Sequence, residues 1–98
     1  MREFILSEKA KDDLRNIADY TRKTWSEEQA VVYYNKLLDT CAFIARKNGT
    51  VGRLYDEIRP GLYGYHIARH IIFYRILSDN TIRIVRILHD QMDFPRHL

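Results

Sequence analysis

His70-Ile-Ile-Phe-Tyr-Arg-Ile-Leu-Ser78, Asp79-Asn80 and Thr81-Ile-Arg-Ile-Val-Arg-Ile-Leu-His89 are two β-rich runs joined by two turn-forming residues. That arrangement predicts a β-hairpin. A two-residue loop at Asp79-Asn80 sets Ser78 opposite Thr81, and the rest of the register follows. One face then carries the pairs Ile76/Arg83, Tyr74/Val85, Ile72/Ile87 and His70/His89. The other carries Leu77/Ile82, Arg75/Ile84, Phe73/Arg86 and Ile71/Leu88. An unpaired arginine buried under a second layer is costly, so the first face is expected against that layer and the second is expected to be open. A monomer rarely exposes as many contiguous apolar groups as Ile71, Phe73, Leu77, Ile82, Ile84 and Leu88. Either another loop covers this patch, or it is a groove for an amphipathic peptide, with Arg75 and Arg86 meeting acidic groups.

The flanking sequence supplies the second layer. Ser7 is a plausible N-cap, and Ala10, Leu14, Ile17, Ala18, Thr21 and Trp25 follow at helical spacing, predicting a helix over about residues 8–24. Ser26-Glu27-Glu28-Gln29 fits a capping box that opens a second helix. Its apolar stripe is Ala30, Tyr34, Leu37, Leu38, Cys41, Ile44 and Ala45, and Asn48-Gly49 ends it. The one or two residues between the helices predict a tight antiparallel pair. Residues 2–6 are a short strand candidate. Residues 49–62 hold three of the four glycines and read as a loop with a brief extended piece near Leu54–Ile58; Pro60-Gly61 marks a turn before a strand at Tyr63–Ala68. The expected order is β-α-α-β-β-β, an α+β fold with an N-terminal antiparallel helix pair on one face of a small antiparallel sheet.

Ninety-eight residues without a repeat or linker suit one domain over residues 1–98. No run approaches the 18 or more apolar residues of a membrane span, and the apolar stretch at the N-terminus is too short for a signal peptide. The single cysteine, Cys41, lies on a helical stripe and forms no disulfide framework, so a cytoplasmic setting is expected. The net charge of +3 is mild, but its distribution is uneven. All five lysines precede residue 50, whereas every basic residue after Val51 is an arginine, and all four histidines lie there too. Arginine suits bidentate and stacked contacts at interfaces, carboxylates and phosphates.

No metal site is expected. His66 and His70 are about 13 Å apart along a strand, too far for one ion, and although His70 and His89 face each other, no thiolate or carboxylate cluster joins them by sequence. Cofactor fingerprints such as a P-loop or a nucleophile elbow are absent from the sequence. Arg69, Arg86, His89 and His97 are residue types that can cut RNA, with arginine on the phosphate and histidine in acid–base work. The same types are equally at home in a protein interface.

Ala10, Asp13-Leu14, Ile17, Tyr20-Thr21, Trp25, Gln29-Ala30, Tyr33-Tyr34 and Leu37-Leu38, then Gly61-Leu62-Tyr63, Arg69 through Arg75, Ile84 through His89 and Met92-Asp93, together resemble the ParE toxins of bacterial toxin–antitoxin systems. The resemblance runs almost end to end, and Ile-Leu-His-x-x-Met-Asp is its most specific piece. It implies the fold shared by the RelE/ParE superfamily, two helices on a small antiparallel sheet. It also implies a toxin that poisons DNA gyrase, blocks replication and is neutralised by a ParD-like antitoxin, with nucleic acid met only through the antitoxin or gyrase. On that reading no residue is catalytic. The antitoxin tail is expected in the groove of Ile71, Phe73, Arg75, Ile84, Arg86 and Leu88, and His89, Gln91, Met92, Arg96 and His97 are expected to contact the target. The alternatives are a RelE-type ribosome-dependent mRNA nuclease and an inactive partner-binding module of the same fold. When such nucleases' last strands are laid on this chain, catalytic arginine positions fall at Ile71 and near Gln91, and isoleucine cannot hold a phosphate or stabilise its developing charge.

Overall fold

A computed structural model describes residues 4–98. Two helices pack on one face of a five-stranded sheet. The chain runs through β1 (Phe4–Leu6), α1 (Glu8–Thr24), α2 (Glu27–Arg46), β2 (Arg53–Leu54), β3 (Tyr63–Ile67), β4 (His70–Ile76), β5 (Ile82–His89) and α3 (Phe94–His97). The N-terminal strand is therefore seen from Phe4, and positions 2 and 3 of that expectation lie outside the described residues. The strand order is β1-β5-β4-β3-β2. β1 runs parallel to β5 and the other neighbours are antiparallel, so the sheet is mixed rather than wholly antiparallel.

The helices begin where their caps dictate. Ser7 Oγ accepts the Ala10 N–H at 3.0 Å, and Ser26 Oγ accepts the Gln29 N–H at 3.0 Å; each satisfies an otherwise orphaned first-turn donor. α2 ends because Asn48 and Gly49 both take positive φ, 57° and 76°. A Cβ on Gly49 would stand 2.8 Å from the Ile76 side chain. Ala10, Leu14, Leu37, Cys41, Ile44 and Ala45 meet Ile72, Tyr74, Ile82, Ile84 and Ile87 of the sheet in the main core. Trp25 departs from the expected stripe. It caps the C-terminus of α1 and is 75% exposed.

The hairpin register needs one correction. Leu77 and Thr81 pair through Leu77 N–H to Thr81 O at 2.9 Å, and Asn80 N–H donates to Leu77 O at 2.8 Å. The loop is thus the three residues Ser78–Asn80, with Asn80 at φ 67°, because asparagine tolerates the left-handed position this loop type requires. Ile76 faces Ile82, Arg75 faces Arg83 and Tyr74 faces Ile84. A bulge at Val85 then restores the expected pairs Phe73/Arg86, Ile72/Ile87, Ile71/Leu88 and His70/His89. Between turn and bulge the one-residue slip exchanges the faces. Ile82 and Ile84 enter the main core, each 0% exposed, and Arg83 faces solvent.

The face expected to be open is covered. Ile71, Phe73 and Leu88 join Leu62 in a second core, packed by Tyr55, Ile58, Val85, Phe94 and Leu98. Phe73 is 0% exposed and lies edge-on to both Tyr55 and Phe94, with ring centroids 5.3 and 5.1 Å away. Leu54–Leu62 folds over this face because Tyr55 N–H donates to Leu62 O at 2.7 Å and Gly61 N–H to Asp56 Oδ1 at 2.9 Å. The last residues complete the cover. Of the two readings of the patch, the chain's own loop and tail are the occupants.

Candidate functional site

The residues singled out by sequence divide between this second core and a cleft. Ile71, Phe73 and Leu88 are in the second core, and Ile84 is on the opposite face. Arg75 donates from Nη1 to Pro60 O at 2.8 Å and ties β4 to the covering loop. Arg86 is turned toward α1. The six therefore do not form one open groove: Ile71, Phe73 and Ile84 are buried, Arg75 is tied to the covering loop, and Arg86 and Leu88 border a separate cleft, because the three-residue turn, the bulge and the covering loop were not visible in the alternation of residues. Of the five expected target contacts, His89, Met92 and His97 line one cleft, while Gln91 and Arg96 are exposed beside it in sequence.

That cleft has a volume of about 900 Å³. One wall is a single face of α1, carrying Asp13, Asn16, Ile17, Tyr20 and Thr21 at spacings of three and four. Trp25, Gln29 and Tyr33 close its helical end. The opposite wall is the β3–β4 turn with Arg69, the strand ends at His70 and Ile87–His89, and the tail residues Met92 and His97. Ala68 holds the turn at φ 53°, a left-handed position for a residue with a Cβ. Tyr20, Trp25 and Met92 are exposed apolar groups on this rim.

Asp13 and Arg86 build the cleft's floor near α1. β1 covers the edge of β5 only as far as Ile84. Beyond it Ser7 takes over, its N–H donating to Ile84 O at 3.0 Å and its hydroxyl to Val85 O at 2.7 Å. Asp13 is next. Its Oδ2 accepts the Ile87 N–H at 2.9 Å and Arg86 Nε at 2.8 Å, while its Oδ1 accepts Arg86 Nη2 at 2.9 Å. The start of α1 thus does the work of a missing strand residue. The bidentate pair is also what permits a half-buried arginine here. Arg86 Nη1 donates to His97 O at 2.6 Å, fastening the tail.

The other end of the floor is an imidazole cluster. Tyr33 Oη and His70 Nδ1 are 2.7 Å apart, and the His70 and His89 rings meet edge to face at 5.4 Å. Burial, aided by the neighbouring His89, pushes His70 down to about 4, so it is neutral at pH 7. Burial raises the Tyr33 hydroxyl, and the Arg69 backbone N–H bonded to it pulls the other way. His89 Nδ1 accepts the Gln91 N–H at 3.1 Å, so its ring proton is on Nε2. The 3.5 Å approach of that Nδ1 to Asp90 Oδ1 therefore carries no hydrogen bond, and Oδ1 is buried without a partner. Asp90 Oδ2 is held by His66 Nε2 at 3.1 Å.

Chemically, this arrangement offers apolar area, an imidazole pair and one exposed guanidinium. Arg69, Arg86, His89 and His97 do come together, as the RNA-cutting alternative required. Arg86, however, is committed to Asp13, and Ile71 is 6% exposed in the second core. Only Arg69 remains to meet a phosphate, where stabilising its developing charge calls for convergent donors. Among the described residues no group of three His, Cys, Asp or Glu side chains is placed to hold a metal ion, and no helix is long and apolar enough to cross a membrane. Sequence reasoning assigned Asp13, Tyr20, Trp25, Gln29 and Tyr33 to helix stripes or family likeness, not to a site. Their usable signal was an α1 face with polar and aromatic residues at helical spacing beside the apolar stripe.

Comparison with known proteins gives a consistent picture. A sequence model of the family described as "ParE toxin of type II toxin-antitoxin system, parDE" matches residues 4–94. Toxin ParE1 of Mycobacterium tuberculosis is 38% identical over 95 residues, which are 97% of this chain and 96% of that protein. Toxin ParE1 of Caulobacter vibrioides is 34% identical over 98 residues, covering 100% and 99%. Toxin ParE of Escherichia coli is 32% identical over 98 residues, covering 100% and 94%. A solved structure of the "Chromosomal ParDE TA system from P. aeruginosa" superposes with a TM-score of 0.77 at 21% identity, over 91% of this chain and 96% of that one; it shares the fold.

Proposed function

The chain belongs to the ParE toxin family of type II toxin–antitoxin systems, and from that premise we propose that it binds DNA gyrase, blocks replication and is neutralised by a ParD-type antitoxin in the cytoplasm. The observation that carries this reading is the family match over residues 4–94, joined to curated relatives at 38% and 34% identity over nearly the whole chain. The structural neighbour comes from a ParDE system, which supports an antitoxin of ParD type.

The protein acts as a binder, not a catalyst. What supports this is the commitment of Arg86 to Asp13 and the burial of Ile71, which leave Arg69 as the cleft's unpaired guanidinium among the described residues. The target-facing surface is the tail side of the cleft, with His89, Met92 and His97 on its wall and Gln91 and Arg96 adjoining. The antitoxin does not use the face of Ile71, Phe73 and Leu88, since the chain's own loop and tail fill it.

Purified protein added to a gyrase supercoiling reaction and, in parallel, to a translating ribosome system tests the reading. Inhibited supercoiling with intact mRNA is expected. Codon-linked mRNA cleavage with unaffected gyrase would overturn it in favour of a ribosome-dependent nuclease.

A further inference from the structure

At the turn end of the β4–β5 hairpin, the far end of those strands from the cleft, two arginines face each other. Arg75 and Arg83 are direct partners across the strands, and Ile5 of β1 completes the row on the outer face of the sheet. Like charges directly opposite each other destabilise a sheet. Nothing in the fold relieves this pair. Arg75 commits one N–H to Pro60 O at 2.8 Å, and Arg83 is exposed without an ion pair among the described residues. The carboxylates of the adjoining turn and loop are engaged: Asp79 by the Thr81 N–H, Asp56 by the Gly61 N–H and Glu57 by Arg53. Arg59, next to Pro60, adds an exposed third arginine to this end of the face. A local rule broken without compensation inside the fold marks a functional surface.

We infer that the Arg75–Arg83 row meets the sugar–phosphate backbone of the duplex DNA that gyrase holds, so that the chain touches nucleic acid directly and not only through the enzyme. Charge complementarity selects this occupant. A second copy of the chain would bring a net charge of +3 to the same face. A phosphate backbone instead carries closely spaced negative charges, so both guanidiniums of the row are neutralised at once and their mutual repulsion becomes attraction to one ligand. A protein partner is the poorer fit. Protein interfaces are anchored on tryptophan and tyrosine as well as arginine, and the exposed aromatics Tyr20, Trp25 and Tyr34 belong to the helical layer on the other side of the sheet. Arginines on phosphates carry no sequence information, so this contact positions the chain on DNA without choosing a site. The inference rests on the gyrase reading above.

The test follows binding of the purified chain to a short fluorescent DNA duplex of mixed sequence by anisotropy, over a range of salt concentrations, beside a gyrase trapping reaction. Arg83→Gln removes one charge and relieves the repulsion across the strands, so its urea midpoint is expected to hold or rise. Its duplex affinity is expected to fall at least threefold, and its slope of log affinity against log salt to be shallower by about 0.9, the loss of one phosphate contact. Lys36→Gln makes the same change of net charge on α2, under the other face of the sheet, and is expected to leave that slope unchanged. Trapping of gyrase by Arg83→Gln is expected to weaken. Wild-type chain that traps gyrase without binding the duplex overturns the inference and leaves the gyrase reading standing. Equal slopes for wild type and folded Arg83→Gln, or equal losses for Arg83→Gln and Lys36→Gln, do the same. Weaker trapping by Arg83→Gln at unchanged duplex affinity assigns the row to an acidic protein surface and also overturns it. Wild-type chain that leaves gyrase unaffected overturns both readings.

Discussion

Asp13 and Arg86, 73 positions apart, close the edge of the sheet together: one carboxylate accepts two guanidinium bonds at 2.8 and 2.9 Å and the Ile87 backbone N–H at 2.9 Å. Neither side chain is more than 17% exposed. Removing either partner strands the other, a change that costs about 3–5 kcal/mol for buried pairs. Asp13→Ala is expected near the top of that range, because it also orphans the Ile87 N–H. Arg86→Ala is expected lower, since His97 O can turn to water. Urea unfolding of both single variants and the double variant checks this. A double-mutant coupling near zero would contradict the arrangement.

The second core gives the C-terminal residues a structural role. Phe94 and Leu98 cover Phe73 and Leu88. Phe94→Ala is expected to cost about 2–4 kcal/mol, at or below the usual range for a large buried aromatic, because Phe94 is only half-buried. Loss of residues 94–98 is expected to lower the urea midpoint further and to raise binding of a hydrophobic dye. Loss of toxicity in such a truncation is thus no proof of target contact, and the exposed changes Met92→Ala and His97→Ala separate the two roles.

Tyr74 holds the loop after α2. Its hydroxyl donates to Gly49 O at 2.7 Å and accepts the Gly52 N–H at 3.0 Å, 0% exposed. Tyr74→Phe leaves both backbone groups short of a partner and is expected to cost about 1–3 kcal/mol. Burial pushes this hydroxyl up to about 12. Between its unfolded value of about 10 and 12 the native state holds the proton more tightly, so stability falls as pH rises through that window. Alkaline titration of tyrosine absorbance is expected to show a late step that Tyr74→Phe removes.

His70 gives the opposite window. It is neutral in the fold down to about pH 4, whereas the unfolded imidazole protonates near 6.5. The unfolded state therefore binds more protons between those values, and stability is lost as pH falls from about 6.5 toward 4. An NMR titration is expected to show its ring protons unmoved until about pH 4. His70→Gln is expected to flatten the acid limb of the stability curve. A ring that titrates near 6.5 would contradict its burial beside Tyr33 and His89.

Helix limits, caps and strand identities were legible because each is written locally: Ser7 and Ser26 cap, Asn48-Gly49 stops, and β-branched runs pair. The register near Asp79-Asn80 was not, because a two-residue loop and a three-residue loop with Asn80 left-handed use the same residues. One slip there moved Ile84 to the core. The cover over Phe73 depends on contacts between distant segments, Tyr55 and Phe94, which no periodicity encodes. Arg86 looked open for a similar reason. Its partner lies on a helix surface, where Asp13 reads as one of many solvated charges. The cleft was legible only in part, through the tail residues His89, Met92 and His97; its α1 aromatics read as a stripe position or as family likeness.

Whether the chain poisons gyrase through the tail side of its cleft is decided by gyrase trapping with wild-type chain and with the folded double variant Met92→Ala/His97→Ala. Gyrase-linked, cleaved plasmid DNA is quantified against toxin concentration, with mRNA integrity followed in a parallel translation reaction. Dose-dependent trapping by the wild type, at least tenfold weaker trapping by the variant, and intact mRNA with both are expected. Cleaved mRNA without trapped gyrase would refute gyrase as the target, and equal trapping by the two proteins would refute the tail side of the cleft as its contact.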